Sequence, residues 1–555
     1  MIFVQNRIKF FQSLLLISIV LYGAFLRFFR VDANQIFGDE IHTLQCAAEK
    51  SFSWIFTHYA VHDTCIPLTL YNKFFLETIG VNEWIFRLPA LACGTVLLIA
   101  VSYMMFKKFD FIETALAAGI LAVSPYFVYM SREARPYIIN TLLIWIAFSL
   151  AMKWRLKQNL HELIGVSVCC AIAIFFNPIV TPAVISIGLY LLFLLIIEKA
   201  PGNQWIQFAV SGAVFIAIMM SLMMPSFMSL LAGISQKGGQ GAAGFETIKS
   251  GLDLLHGLPV KATGWVWVVI FISGLISLFK RFTAETLLVC AALALQMAFL
   301  FTLQPRKMEV PWVWVRYVAH FLPWLVICYV VGIKSIISIL MPNKRKSFLL
   351  TILFIPLIVF WAGWHIEKRN YGIFKGSSYN VHPMILMIDK QRDGLKTWSP
   401  VVESYEKVQN IIDDGRVIES PMLFTIPLYQ FYRVFHGKEI QTAGMGTGYA
   451  QNIFSSHDGF KFRTVFRFSK DPLPSPDKKK FLIVHKQIGE EIVLAYNHFC
   501  KDDIASKQLL AAGDLFSPQA INHMLGNNGF LDPGSLNIAG EKVFEDYWLI
   551  IYEIS

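Results

Sequence analysis

The stretch "EWIFRLPALACGTVLLIAVSYMMFKK", Glu83 to Lys108, decides the fold class. Between Arg87 and the Lys107-Lys108 pair it runs uncharged for about twenty residues, the length a helix needs to cross a hydrocarbon core of roughly 30 Å. The run is continuously apolar rather than alternating, which reads as a membrane helix and not as a barrel strand. Its basic end reads as a cytoplasmic anchor, because short cytoplasmic loops concentrate Lys and Arg.

The pattern repeats along the chain. Hydrophobic residues make up 55% of the 555 positions and charged residues only 15%, more apolar surface than a water-soluble fold can hide. About eleven spans are expected, at 11–29, 88–106, 112–130, 137–152, 161–177, 179–197, 205–224, 262–279, 284–303, 317–340 and 347–365. With the N-terminus inside, five basic clusters share the cytoplasmic side: Arg7 with Lys9, "KK" at 107–108, "KWRLK" at 153–157, "KR" at 280–281 and "NKRK" at 343–346. The formal charge of +10 is therefore spent on topology, and no nucleic-acid partner is expected. The first span ends in "LRFFR" with no small-x-small cleavage site after it, so it is expected to stay as an anchor. The eight cysteines form no metal-ligand or disulfide framework.

The same threading gathers the remaining polar stretches on the outer face. They are the loop 30–87, "SREARPY" at 131–137, "NP" at 177–178, a Gly-rich segment at 236–257, "QPRKMEVPWVWVRY" at 304–317, and everything after about 366. The first loop carries helix-like pieces at 40–56 and 67–79, expected to lie along the membrane surface with Trp54, Phe56, Phe74 and Phe75 toward lipid. It is either functional or a structural cap. The segment 236–250 is expected to be mobile, as a gate over a site or as a plain connector. Two domains follow: a transmembrane part, 1–365, and a soluble α/β or α+β part, 366–555, with a helix at 401–413, a short strand after it, and strands at 479–485 and 547–554.

One external stretch is acidic: "FGDEIHTL", 37–44, sets Asp39 beside Glu40 just after the first span. Such a pair is either a solvated loop or a base held at the bilayer surface. Arg135 and Arg316 stand at outer ends of spans, where a guanidinium either anchors to headgroups or makes paired, charge-assisted hydrogen bonds to a phosphate. Glu133 could serve as an ion partner of Arg135. Asp39, Glu40, His42, His62 and Asp63 could ligate a divalent metal, but their spacing matches no strong metal signature, so no cofactor is assigned.

The run from Glu83 to Leu143, with "SPYFVYMSREARPYIINTLL" as its second half, resembles the GT-C superfamily of integral membrane glycosyltransferases. The nearest branch is the bacterial one akin to protein O-mannosyltransferases and the aminoarabinose transferase acting on lipid A. The likeness extends over about 20–200 and resumes weakly at "VRYVAHFLPWLVICYVVG". It implies a sugar transferred from a polyprenyl-phosphate-linked donor to a hydroxyl of a glycan, lipid or protein. Asp39 would be the catalytic base and Glu40 its companion, positioning acceptor or metal. Arg135 would bind the donor phosphate with Glu133 and Tyr137 beside it, and Arg316 with Tyr317 would join them. Arg87 matches a family position that would hold the loop against the second span, and "HDTCIPL" keeps Asp63 and Pro67 but departs from the family's usual pattern. One base opposite a phosphate leaving group implies inversion at the sugar carbon. The rival readings are a transporter or flippase for lipid-linked sugars, which predicts mid-span charges and repeats not seen here, and a non-catalytic assembly protein. The expected setting is a bacterial inner membrane, with the C-terminal domain outside the cytoplasm.

Overall fold

A computed structural model describes residues 2–29, 31, 40, 43–44, 46–47, 50–59, 65–79, 82–239, 241, 243–256, 264–305, 308–309 and 311–340, and the strand residues 416–420, 440–442, 480–485, 540–545 and 549–554. Two compact units divide the chain: Met1–Asp32, Glu49–Phe374 and Tyr379–Val381 form one; Ala33–Ala48, Lys375–Ser378 and His382–Ser555 form the other.

The first unit is helical among the described residues. It opens with α1 (Ile2–Phe28), two short helices of the first loop, α2 (Phe52–Thr57) and α3 (Ile66–Thr78), and then α4 (Glu83–Lys108). Next come α5 (Phe111–Val123), α6 (Pro125–Ser131), α7 (Tyr137–Lys157), α8 (Leu160–Phe176), α9 (Thr181–Ile197) and α10 (Gly202–Met223). The series closes with α11 (Phe227–Lys237), α12 (Phe245–His256), α13 (Gly264–Arg281), α14 (Thr283–Leu303), α15 (Pro311–Val318) and α16 (Leu322–Leu340).

Local sequence explains where these helices begin and end. Asn82 accepts a hydrogen bond from the Ile85 amide and starts α4. Asp110 and Glu113 form a reciprocal capping box at the start of α5. The helix α7 ends on Gln158 in the left-handed region, at φ 54°.

Among the described residues, seven helical stretches are long and apolar enough to cross a membrane: Phe10–Phe28, Trp84–Lys108, Tyr137–Lys157, Pro178–Ile197, Gly202–Ser235, Thr283–Leu303 and Val313–Leu340. Two shorter apolar helices, Phe111–Val123 and Leu160–Phe176, accompany them. The expectation of about eleven spans is finer than this set. The run 112–130 is not one helix, because Ser124 turns extended at ψ 121° and Pro125 restarts the chain as α6. The span at 347–365 lies outside the described residues.

Small residues set the closest crossings. A Cβ on Gly23 of α1 would stand 2.6 Å from Leu98 and 2.8 Å from Ala122, so α1 lies directly against α4 and α5. On α13 and α16, Gly274 faces the Cys328 carbonyl and Gly332 faces the Ile270 carbonyl, leaving no room for a side chain at either. The Gly-rich stretch departs from expectation in part. Residues 245–256 form α12, which packs on α15: Gly251 lies against Trp314, and the Thr247 hydroxyl donates to the Glu309 carbonyl at 3.0 Å. Apolar positions at helical spacing, Ile248 and Leu252 beside Gly251, supply the packing face that glycine content obscured.

In the first loop, Trp54, Phe56 and Phe75 are half-buried and Phe74 is exposed. Of the expected helix at 40–56, the continuously described part is α2. In the second unit, β1 (Arg416–Ser420), β2 (Ile440–Thr442), β3 (Lys480–His485), β4 (Gly540–Glu545) and β5 (Leu549–Ile554) form one mixed sheet in the order β2-β1-β3-β5-β4. The pairs β1–β2 and β1–β3 are parallel, whereas β3–β5 and β4–β5 are antiparallel. The expected helix at 401–413 lies outside the described residues.

Candidate functional site

The turn between α6 and α7, Arg132 to Pro136, puts three charged side chains out of solvent: Arg132, Glu133 and Arg135 are all less than one-tenth exposed. Pro136 prevents α6 from running on into α7, and the Arg135 amide folds back to the Glu133 carbonyl at 2.7 Å. Charges at such a position need partners, and the partners differ from residue to residue.

Arg132 caps a neighbouring helix. Its Nη1 donates to the carbonyls of Leu26, Arg27 and Phe29 at 3.1, 3.3 and 2.7 Å, the last acceptors of α1. Arg27, fully buried, does the same for α5, donating to Leu121 and Ala122 at 3.1 and 3.3 Å while its guanidinium rests over the Phe127 ring. Arg87 on α4 donates to the Val31 carbonyl at 2.9 Å. Three arginines thus hold the point at which the chain leaves α1 for the first loop.

Glu133 turns toward α15. Its Oε1 lies 3.9 Å from Nη2 of Arg316, an ion pair too long to be a hydrogen bond. The Arg316 guanidinium also sits 5.5 Å from the centroid of the Tyr137 ring, at the start of α7. Glu133 therefore pairs with Arg316, from a helix far along the chain, and not only with a neighbour within its own turn. The Tyr126 hydroxyl on α6 interacts electrostatically with Arg316, Glu133 and Tyr137. Tyr317 follows Arg316 and is half-buried. Its carbonyl accepts from Nε2 of Gln296 at 3.1 Å, and the same nitrogen donates to the Ile179 carbonyl at 3.1 Å. Gln296 so ties α14 both to the residue after Arg316 and to the short 3₁₀ turn Pro178–Val180.

Of the residues expected at the site, Glu133, Arg135, Tyr137, Arg316 and Tyr317 fall in the described helical unit, and Glu133, Tyr137 and Arg316 meet directly. Arg87 is placed at the exit of α1. Glu40 is buried, and Asp39, His42, His62 and Asp63 lie outside the described residues. Among the described residues no group of three His, Cys, Asp or Glu side chains could hold a metal. Sequence reasoning passed over Arg27, Arg132, Tyr126 and Gln296. An arginine inside an apolar run was a usable signal for Arg27, since a buried guanidinium must find acceptors. Nothing in "SREAR" by itself separates Arg132 from Arg135.

The family model for dolichyl-phosphate-mannose-protein mannosyltransferases matches residues 67–225. Among solved structures, ArnT from Cupriavidus metallidurans in the apo state matches with a TM-score of 0.52 at 12% identity, covering 98% of this chain and 97% of that one. The fold is GT-C. The same protein bound to undecaprenyl phosphate matches with a TM-score of 0.51 at 11% identity, again covering 98% and 97%. The GT-C resemblance drawn from the motifs stands on both the family model and the fold. No curated protein matches the chain in sequence. The family-model match takes in the "SREAR" turn and ends before Arg316, whose place beside Glu133 and Tyr137 is a matter of tertiary structure.

Proposed function

We propose that the chain transfers a sugar from a polyprenyl-phosphate-linked donor to a hydroxyl acceptor at the outer face of a bacterial inner membrane. The observation that carries this reading is the convergence of Arg316, Glu133 and Tyr137, from two segments far apart in sequence, in the turn that also holds Arg135. The GT-C fold adds support, since ArnT, which shares it, has been solved with undecaprenyl phosphate bound.

In this reading the bond between the anomeric carbon and the phosphate oxygen breaks as the acceptor oxygen attacks from the opposite side. Negative charge grows on the departing phosphate, and guanidinium groups stabilise it most where it is fully developed. Glu133 holds the Arg316 guanidinium in place before the donor arrives, and Tyr137 supports its flat face. A guanidinium can make paired, charge-assisted hydrogen bonds to phosphate oxygens. Tyr317 lies next to Arg316 on the same helix. Asp39 accepts the acceptor's proton, with Glu40 as its companion and Asp63 in a supporting place; these roles rest on the motif. Direct displacement gives inversion at the sugar carbon. The acceptor is a glycan, a lipid or a protein hydroxyl, and a divalent metal is assigned no step.

The test is mass spectrometry of envelope glycolipids and glycoproteins from a deletion strain complemented with wild type or Asp39→Asn. One glycan should lose a single sugar in the deletion, and wild type alone should restore it. Full restoration by Asp39→Asn at wild-type expression would remove Asp39 as the base. A glycan profile unchanged by the deletion would remove the transferase reading.

A further inference from the structure

Tyr126, the second residue of α6, is buried, with its ring tilted against that of Tyr129 at a centroid separation of 6.3 Å. Its hydroxyl is fully enclosed and meets no hydrogen-bond partner among the described residues. A phenylalanine would serve the packing equally well, as Phe127 does at the next position, also fully buried. A hydroxyl withdrawn from water and left unsatisfied is a standing penalty, and such a group calls for an explanation.

The surroundings supply one. The charged and polar groups that act on this hydroxyl are Arg316, Glu133 and Tyr137, with Arg316 foremost. They are the three groups that converge in the candidate donor site. A phenol next to a guanidinium has one strong donor hydrogen to offer. The field of the cation draws an anion to the same place, and an anion brings acceptor atoms only. We propose that Tyr126 donates a hydrogen bond to a non-bridging oxygen of the lipid phosphate, alongside Arg316. The inference rests on the donor-site reading above and extends it: the phosphate is met by a neutral donor from α6 as well as by arginines. A neutral hydroxyl adds recognition without adding positive charge, so product phosphate can still leave.

The experiment uses the purified full chain in lipid nanodiscs, titrated with undecaprenyl phosphate and, separately, with undecaprenol, which lacks the phosphate. Tyr126→Phe should melt at or above the wild-type temperature without ligand, because it removes only an unsatisfied hydroxyl. It should bind undecaprenyl phosphate about 10-fold more weakly, the loss of one hydrogen bond to a charged acceptor. Binding of undecaprenol should be unchanged. Wild-type affinity of Tyr126→Phe for undecaprenyl phosphate would overturn the proposal, and so would an equal loss for undecaprenol, which would mark a packing effect. Arg316→Gln, measured in parallel, tests the donor-site reading on its own. If it binds undecaprenyl phosphate normally, that reading fails, whichever way Tyr126→Phe behaves.

Discussion

Replacing Arg132 by alanine should destabilise the helical unit, and the size of the effect can be worked from its contacts. Nη1 of Arg132 lies 3.1, 3.3 and 2.7 Å from the carbonyl oxygens of Leu26, Arg27 and Phe29. That nitrogen carries two hydrogens, so at most two of the three contacts act at full strength at once. Hydrogen bonds to charged groups contribute roughly 1.5–3 kcal/mol each, which brackets the loss between about 3 and 6 kcal/mol. The vacated carbonyls sit where α1 ends and recover part of this from other donors, so we expect about 3 kcal/mol. Near 1.4 kcal/mol per tenfold, that is roughly a hundredfold shift of the unfolding equilibrium. Unfolding in mixed micelles with increasing SDS, followed by tryptophan fluorescence, measures it directly. Arg132→Lys should recover part of the loss, because an ammonium donates to the same carbonyls from a shorter, less forked group. If Arg132→Ala unfolds at the wild-type midpoint, the exit of α1 is held by other contacts and the reasoning fails.

Two further outcomes follow from the same geometry. Arg316→Lys keeps the charge but loses the fork and the flat contact over Tyr137, so kcat/KM for a polyprenyl-phosphate sugar should fall roughly 10- to 100-fold at unchanged stability; full activity would show that a point charge suffices there. Gly332→Ala should destabilise by at least about 2 kcal/mol, since its Cβ would meet the Ile270 carbonyl and force α13 from α16. Gly188→Ala, with nothing within 4 Å of the new methyl, is the control and should be neutral or mildly stabilising. Equal unfolding midpoints for the two variants would mean that the close crossing is not needed.

The membrane character of the chain was legible without coordinates, because it depends on run length and charge, which are local. The long helices follow from the same property, and so do strands β3 and β5, which lie on apolar runs at 479–485 and 547–554. Helix breaks were less legible. The Ser124-Pro125 step divides a run that hydropathy alone joins, and α12 lies inside a stretch that glycine content made look structureless. Glu133, Arg135, Tyr137 and Arg316 could be nominated from residue type and position at span ends. Which charge meets which could not. Arg132 and Arg135 are chemically alike and three residues apart, and only the approach of α1 assigns Arg132 to three backbone carbonyls. Likewise, only the packing of α15 against the "SREAR" turn turns Glu133 toward Arg316 and leaves the Tyr126 hydroxyl facing both. Sequence by itself determined the solvent each segment prefers, since transfer into lipid is a property of single residues and short runs. The pairing of buried charges was decided by tertiary structure alone, because a buried ion is held by whatever acceptor the fold brings within a few ångströms, at any distance along the chain.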